Sequence, residues 1–297
     1  MNAKRIVLLL CCIIFILLLL LFPNIAIDGS TRGLTLWFQI LVPTLLPFFI
    51  LSALLRCLVQ KPSGTFLFLI IGLFSGYPVG AKIVGSEYLQ GNLTKRQTYF
   101  FLNLCNQASP VFLLVFVGVQ TLHLTTGRYL FFFIIHLSAL VGSCLLTFLI
   151  RKKQDSTTTG TPSSCEKLPL AERFDQILLE SMITIVKIGC YVILFSILAS
   201  FVNNIFSSYP LAGILVSGFF EITTGMLQLE GASLPAIEKI VLASMLISFG
   251  GLSALAQTKS VLPETGLSIK IYFLYKITSA FSACILSLLF FFLFHGF

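Results

Sequence analysis

A chain of 297 residues with 57% hydrophobic and only 10% charged residues is not an ordinary soluble domain, where roughly 25% of residues carry charge. Its 30 phenylalanines and mean hydropathy of +1.00 exceed what one globular core could hide. The net charge of +8 comes from basic residues beside apolar runs, which points to membrane orientation and away from nucleic acid.

The first 22 residues, MNAKRIVLLLCCIIFILLLLLF, join a basic flank to an apolar run from Ile6 to Phe22. That run is longer than a signal-peptide core of about 7–15 residues, and no small-x-small cleavage site follows. Residues 1–33 therefore read as an uncleaved transmembrane helix. Leu34 to Val59 follows as a second long helix containing Pro43 and Pro47. The stretch GLFSGYPVGAK, Gly72 to Lys82, then interrupts an apolar segment with helix breakers and a charge. Thr65 to Phe74 makes only about 15 Å of helix, half of a hydrocarbon core about 30 Å thick. Ser75-Gly76-Tyr77-Pro78 then breaks it, and Val79 to Leu89 can run back to the same side. This pattern predicts a re-entrant hairpin, tolerable only where protein or a water-filled cavity covers its tip.

A broken segment from about Thr98 to Leu122 and a clean helix from Tyr129 to Ile150 complete a first repeat, residues 34–150. The hydrophilic stretch from Arg151 to Asp175, rich in Ser, Thr, Gly and Pro, reads as a cytoplasmic linker. The second repeat, residues 176–297, has the same order of parts. A helix from about Ile177 to Phe206 leads to a Gly-interrupted segment from Leu211 to Leu229. A broken segment from about Ile237 to Leu262 and a closing helix from Ile269 to Phe294 follow. Short likenesses, FILSALL at Phe49 with ILFSILA at Ile193 and GLFSGYP at Gly72 with GFFEITT at Gly218, fall at corresponding places.

Charge decides between hairpin and single kinked span. With both short segments as hairpins there are about seven spans, the N-terminus lies inside, and Arg151-Lys152-Lys153 is cytoplasmic. A single crossing at 66–88 would move that cluster outside, against the positive-inside rule. Each repeat then crosses an odd number of times, so the second is inverted relative to the first. The expected fold is an all-α polytopic membrane protein built of inverted repeats, an architecture frequent among secondary transporters.

Four interrupted stretches hold nearly all the intramembrane polarity. They contribute Ser75, Gly76, Tyr77 and Lys82; Asn103, Asn106, Gln107 and Ser109; Glu221, Thr223 and Thr224; and Gly250, Gly251, Ser253 and Gln257. Such groups are costly at membrane depth and face a pathway or one another. Half-helix starts also present unpaired N–H groups that suit anionic or carbonyl-bearing ligands. Ser, Thr, Gly and Asn equally serve as packing and interhelical hydrogen bonds, and Lys82 can snorkel to the cytoplasmic surface. Glu221 is the exception, because apolar residues flank it and no basic residue lies within a helical turn. An ionised carboxylate at the tip of the second hairpin, beside the helix-breaking Gly225, needs a cation such as Lys82 or must carry a proton. The eight cysteines show neither CxxC nor metal-ligand spacing, so no metal site or disulfide framework is indicated. HExxH, GxSxG, the phosphate loop and an intramembrane aspartate pair are all missing from the sequence, so the reading is a non-enzyme without cofactor.

GLFSGYPVGAK, NQASP, EITTG and FGGLSALAQ, in this order and spacing, resemble the YlbJ-type sporulation integral membrane proteins, within the nucleoside-recognition Gate domain group. The resemblance covers roughly Leu34 to Phe294. It implies an architecture similar to the core of concentrative nucleoside transporters, and a role in endospore formation as an importer of dipicolinate into the developing spore. The implied location is a forespore-surrounding membrane, with proton or sodium as coupling ion and a homo-oligomer compatible. A nucleoside-type solute, or a non-transporting component of a spore-maturation complex on the same scaffold, is the alternative.

Overall fold

The computed structural model describes residues 3–58, 65–150, 170–262 and 265–294, and every regular element among them is helical. Most of the linker expected at 151–175 lies outside the described residues. Helix α1 spans Ala3–Leu21, and α2, Pro23–Leu36, continues through a π-helical turn, Trp37–Leu41, into α3, Val42–Leu58. The first hairpin is α4, Thr65–Ser75, and α5, Val79–Leu89. The first broken helix is α6, Lys95–Cys105, followed by a π-helical segment, Phe112–Thr121, and α7 spans Gly127–Leu149. In the second half α8 spans Leu170–Ile205, α9 and α10 are Pro210–Phe220 and Ile222–Gly231, α11 and α12 are Ala236–Phe249 and Gly251–Ser260, and α13 is Ile269–Phe294.

Five helical stretches among the described residues are long and apolar enough to cross a membrane: Pro23–Leu55, Gly127–Leu149, Glu172–Ile205, Ala236–Ser260 and Ile269–Leu293. Their outer faces present large apolar side chains such as Phe38, Phe148, Ile205 and Phe292. In water so many would be a liability, whereas a bilayer solvates them. The protein is an all-α polytopic membrane protein.

Three elements differ from expectation, each for a local reason. The second helix starts at Pro23 rather than Leu34. Phe22 makes the break, Pro23 takes the first helical turn where its missing N–H costs nothing, and the polar run DGSTRG stays helical because its glycines pack on α8. A Cβ at Gly29 would lie 2.7 Å from the Ile197 Cα, and one at Gly33 2.7 Å from the Ile193 Cα. This is the close small-xxx-small approach of membrane helices, and the Trp37 indole N–H continues the seam by donating to the Ile185 carbonyl at 2.8 Å. Helix α8 begins at Leu170, inside the stretch read as linker. The second hairpin turns at Glu221, as expected, but Gly225 does not break the helix that follows. Gly225 lies within α10 at the hairpin crossing, where its absent side chain lets the helix pass 2.5 Å, measured from an ideal Cβ, from the Gly218 Cα.

The two hairpins open toward opposite ends of the bundle. At one end the Ser268 N–H donates to the Tyr99 hydroxyl at 2.6 Å, Arg96 donates to the Thr147 carbonyl at 2.6 Å, and α5 returns with Gly85 against Leu262 and Thr265. Helix α6 starts there with a capping box, in which Thr94 accepts from the Gln97 N–H at 3.3 Å and Gln97 accepts from the Thr94 N–H at 2.9 Å. At the other end, Leu122 and Leu124 join the same apolar cluster as Leu229, Ala232 and Leu234 at the open end of the second hairpin.

Candidate functional site

The first hairpin turns where α6 breaks, and the two breaks touch. Gly76 adopts a left-handed φ of 75°, and a Cβ there would lie 2.7 Å from the Ser109 nitrogen. The Tyr77 N–H donates to the Gln107 carbonyl at 2.8 Å. One turn on, a Cβ at Gly80 would collide with the Cys105 carbonyl. Asn106 binds three elements together. Its Oδ1 accepts from the Ala81 N–H at 3.2 Å, satisfying one of the orphan donors at the start of α5. Its Nδ2 donates to Thr258 Oγ1 and to the Tyr272 hydroxyl, each at 2.8 Å.

The second half repeats the arrangement with different chemistry. Glu221 is 2% exposed and is the N-cap of α10. Its Oε2 accepts from the Thr224 N–H at 2.7 Å and the Thr224 hydroxyl at 3.0 Å, and its Oε1 accepts from the Thr223 hydroxyl at 3.0 Å. The broken helix α11–α12 turns at Gly250 and Gly251, with φ values of 87° and 77°. A Cβ at Gly251 would meet the Gly218 and Phe220 carbonyls at 3.2 and 3.4 Å. In each half, then, a hairpin tip lies against the break of its own discontinuous helix.

Between the two tips is a cavity of about 30 Å³, room for about two water molecules. Tyr77 and Ser109 line it from the first half, and Glu221, Thr223, Gly250, Ser253 and Gln257 from the second. Thr44, Ile188 and Val192 close it from the long helices. Gln257 Nε2 donates to Ser253 Oγ at 3.1 Å, and Ser109 Oγ accepts from the Phe112 N–H at 3.3 Å. Thr44 was not among the residues expected from the sequence. Its hydroxyl bonds the Ile40 carbonyl at 2.6 Å, and a hydroxyl residue between Pro43 and Pro47 in an apolar helix was the available signal.

The remaining expected residues stand behind this cavity or away from it. Ser75 donates to its own helix at the Ile71 carbonyl, 2.6 Å. Gly76 and Gly251 provide the close approaches, and Thr224 holds Glu221. Asn103 Nδ2 donates to the Ala139 carbonyl at 3.2 Å and to Ser143 and Ser279, each at 2.8 Å; it fastens α6 to α7 and α13. Gln107 links Asn103 to Lys276, with Nε2 donating to the Asn103 carbonyl at 2.6 Å and Oε1 accepting from Lys276 Nζ at 3.1 Å. Lys82 is not the partner of Glu221. Its side chain is exposed and lies 3.6 Å from Glu180, because α5 turns that face outward while Ala81 and Ile83 are buried.

The buried cation is Lys276 on α13, 1% exposed. Besides Gln107, its Nζ donates to the Asn106 carbonyl at 3.4 Å. Each break thus carries an ionisable group whose charged form is of the sign its helix end favours. Lys276 lies at the C-terminal end of α6, and Glu221 caps the N-terminal end of α10. Among the described residues neither forms an ion pair within 4.0 Å, and no group of His, Cys, Asp and Glu suited to a metal occurs.

The chain is similar to the sporulation integral membrane protein YlbJ of Bacillus subtilis (strain 168), 24% identical over 321 aligned positions that cover 90% of this chain and 78% of that protein. No protein-family model matches the chain. No solved structure matches it significantly.

Proposed function

We propose that this YlbJ-type membrane protein is a secondary transporter of a small anionic solute that acts in sporulation, with dipicolinate as the leading substrate. One observation carries the reading. Two oppositely opening hairpins and two discontinuous helices bring their polar breaks to a single cavity in the interior of the bundle, lined by Glu221, Tyr77, Ser109, Ser253 and Gln257. Irregular backbone at that depth is the way transporters build solute sites. A pure scaffold has no need to bury a carboxylate beside such a cavity.

A cavity of about 30 Å³ holds no solute of that size, so this is a closed arrangement. Opening requires one hairpin to move against its broken helix, and the hydrogen bonds most directly broken are those of Asn106 to Ala81 and of Gln107 to Tyr77. Glu221 can act as the proton carrier. Its three donors stabilise the carboxylate once the proton has left, and no cation within ion-pair distance among the described residues competes with proton uptake. In this reading the N-terminus is cytoplasmic and the protein resides in a membrane surrounding the forespore. The sporulation role follows the similarity to YlbJ. Cells expressing the protein alone should accumulate radiolabelled dipicolinate above vector controls; no accumulation by a well-expressed, membrane-inserted protein contradicts the proposal.

A further inference from the structure

Lys276 is the largest unexplained cost in the bundle. Lysine is almost never fully buried without a counter-charge, yet this one is 1% exposed and is met by two neutral acceptors, Gln107 Oε1 at 3.1 Å and the Asn106 carbonyl at 3.4 Å. The ring of Tyr272 lies 6.0 Å from its Nζ. An ammonium has three donors, so one remains without a hydrogen-bond acceptor among the described residues. Capping the C-terminal end of α6 explains a cation in general, but an uncharged donor such as glutamine would satisfy those carbonyls without burying a charge.

Position supplies the second observation. Gly250 lines the central cavity, and a Cβ built on it would lie 3.5 Å from Lys276 Cε and 3.9 Å from Nζ. Gly250, which has no side chain, thus touches both the lysine and the cavity. The flexible four-carbon stem lets Nζ advance past Gly250 once the hairpins part.

Building on the transport reading, we propose that Lys276 is the specificity-determining residue of the site and binds a carboxylate of the solute. In the closed arrangement Gln107 and the Asn106 carbonyl hold the ammonium, and the solute carboxylate takes the third donor when the cavity opens. Glu221 lines the same cavity, so a second solute carboxylate is accommodated only while Glu221 carries a proton. Charge selection is thus assigned to Lys276 and proton dependence to Glu221.

Isothermal titration of the detergent-purified protein with dipicolinate and with its neutral diamide tests this. Wild type should bind the dianion at least about tenfold more tightly than the diamide, the equivalent of about 1.4 kcal/mol. Lys276→Met should lose that preference while binding the diamide unchanged, and Lys276→Arg should keep it. A purely structural lysine would move both affinities together. Lys276→Gln preserves length and a donor, so it serves if the Met variant does not fold. Retained preference in a folded Met or Gln variant overturns the inference and leaves the transport reading intact. Equal binding of the two ligands by wild type, or binding of neither, overturns it without any variant. Binding with the stated preference but no uptake would sink transport and leave the assignment of Lys276 standing.

Discussion

Asn106→Leu should abolish uptake while the protein still inserts into the membrane. Leucine has the branched heavy-atom shape of asparagine but no polar atoms and somewhat greater bulk, so the perturbation removes the bonds without opening a cavity. The Ala81 N–H loses its only side-chain acceptor, at 3.2 Å, and Thr258 and Tyr272 each lose a 2.8 Å donor. A stranded buried donor costs about 1–3 kcal/mol, and the two hydroxyl bonds add about 0.5–1 kcal/mol each, for about 2–5 kcal/mol in all. Melting of the purified protein should therefore fall, and the first hairpin should come free of α12 and α13. Asn103→Leu is the control. It strands a similar set of bonds, to Ala139, Ser143 and Ser279, but lies away from the cavity, so it should cost comparable stability while uptake per folded molecule persists. Uptake by Asn106→Leu equal to wild type would assign this residue to packing, and melting unchanged within about 1 °C as well would refute the reasoning altogether.

Glu221→Gln should lose pH-dependent accumulation yet retain solute exchange; an unchanged rate and pH profile removes Glu221 from the mechanism. Lys82→Ala should change stability by no more than about 1 kcal/mol, as for an exposed ion pair, and should not rescue Glu221→Gln; rescue would place the two charges in contact. Gly80→Ala should impair folding or hairpin docking because its Cβ meets the Cys105 carbonyl, whereas Gly231→Ala, with open space around it, should be silent in the same melting assay. Cysteines introduced at Asn92 and Ser156, in a cysteine-free background, should both be shielded from an impermeant thiol reagent in intact cells; labelling at both is the pattern of a first hairpin that spans, and labelling at either contradicts this topology.

The fold was legible where backbone chemistry speaks locally. Ser75-Gly76-Tyr77-Pro78 and Gly250-Gly251 are breakers inside apolar runs, and the chain does turn at both. Legibility failed where tertiary packing overrides local character. The division between the first two helices falls at Phe22 and not at Leu34, because Gly29 and Gly33 rest on α8 and hold the run DGSTRG in the second helix. Gly225 looks like a helix breaker and is a crossing point, while the turn falls, as expected, at Glu221, whose side chain caps the helix that follows. The site was half visible for a similar reason. Glu221, Ser109 and Gln257 betray themselves as polar residues in apolar surroundings. Lys276 is equally out of place in α13, but a lysine within reach of a helix end reads as snorkelling until the fold shows it beneath Asn106 and Gln107. Lys82 made the opposite impression for want of that context, since only the assembled bundle turns it outward to Glu180.

The central claim is that this chain alone carries a small anionic solute through the cavity between its hairpin tips. It is tested most directly by uptake of radiolabelled dipicolinate into liposomes containing only the purified protein, with an inward proton gradient imposed and then collapsed. Saturable uptake that depends on the gradient and is lost in Glu221→Gln is the predicted result. Uptake no faster than in protein-free liposomes, from protein shown to be folded and inserted, would contradict it.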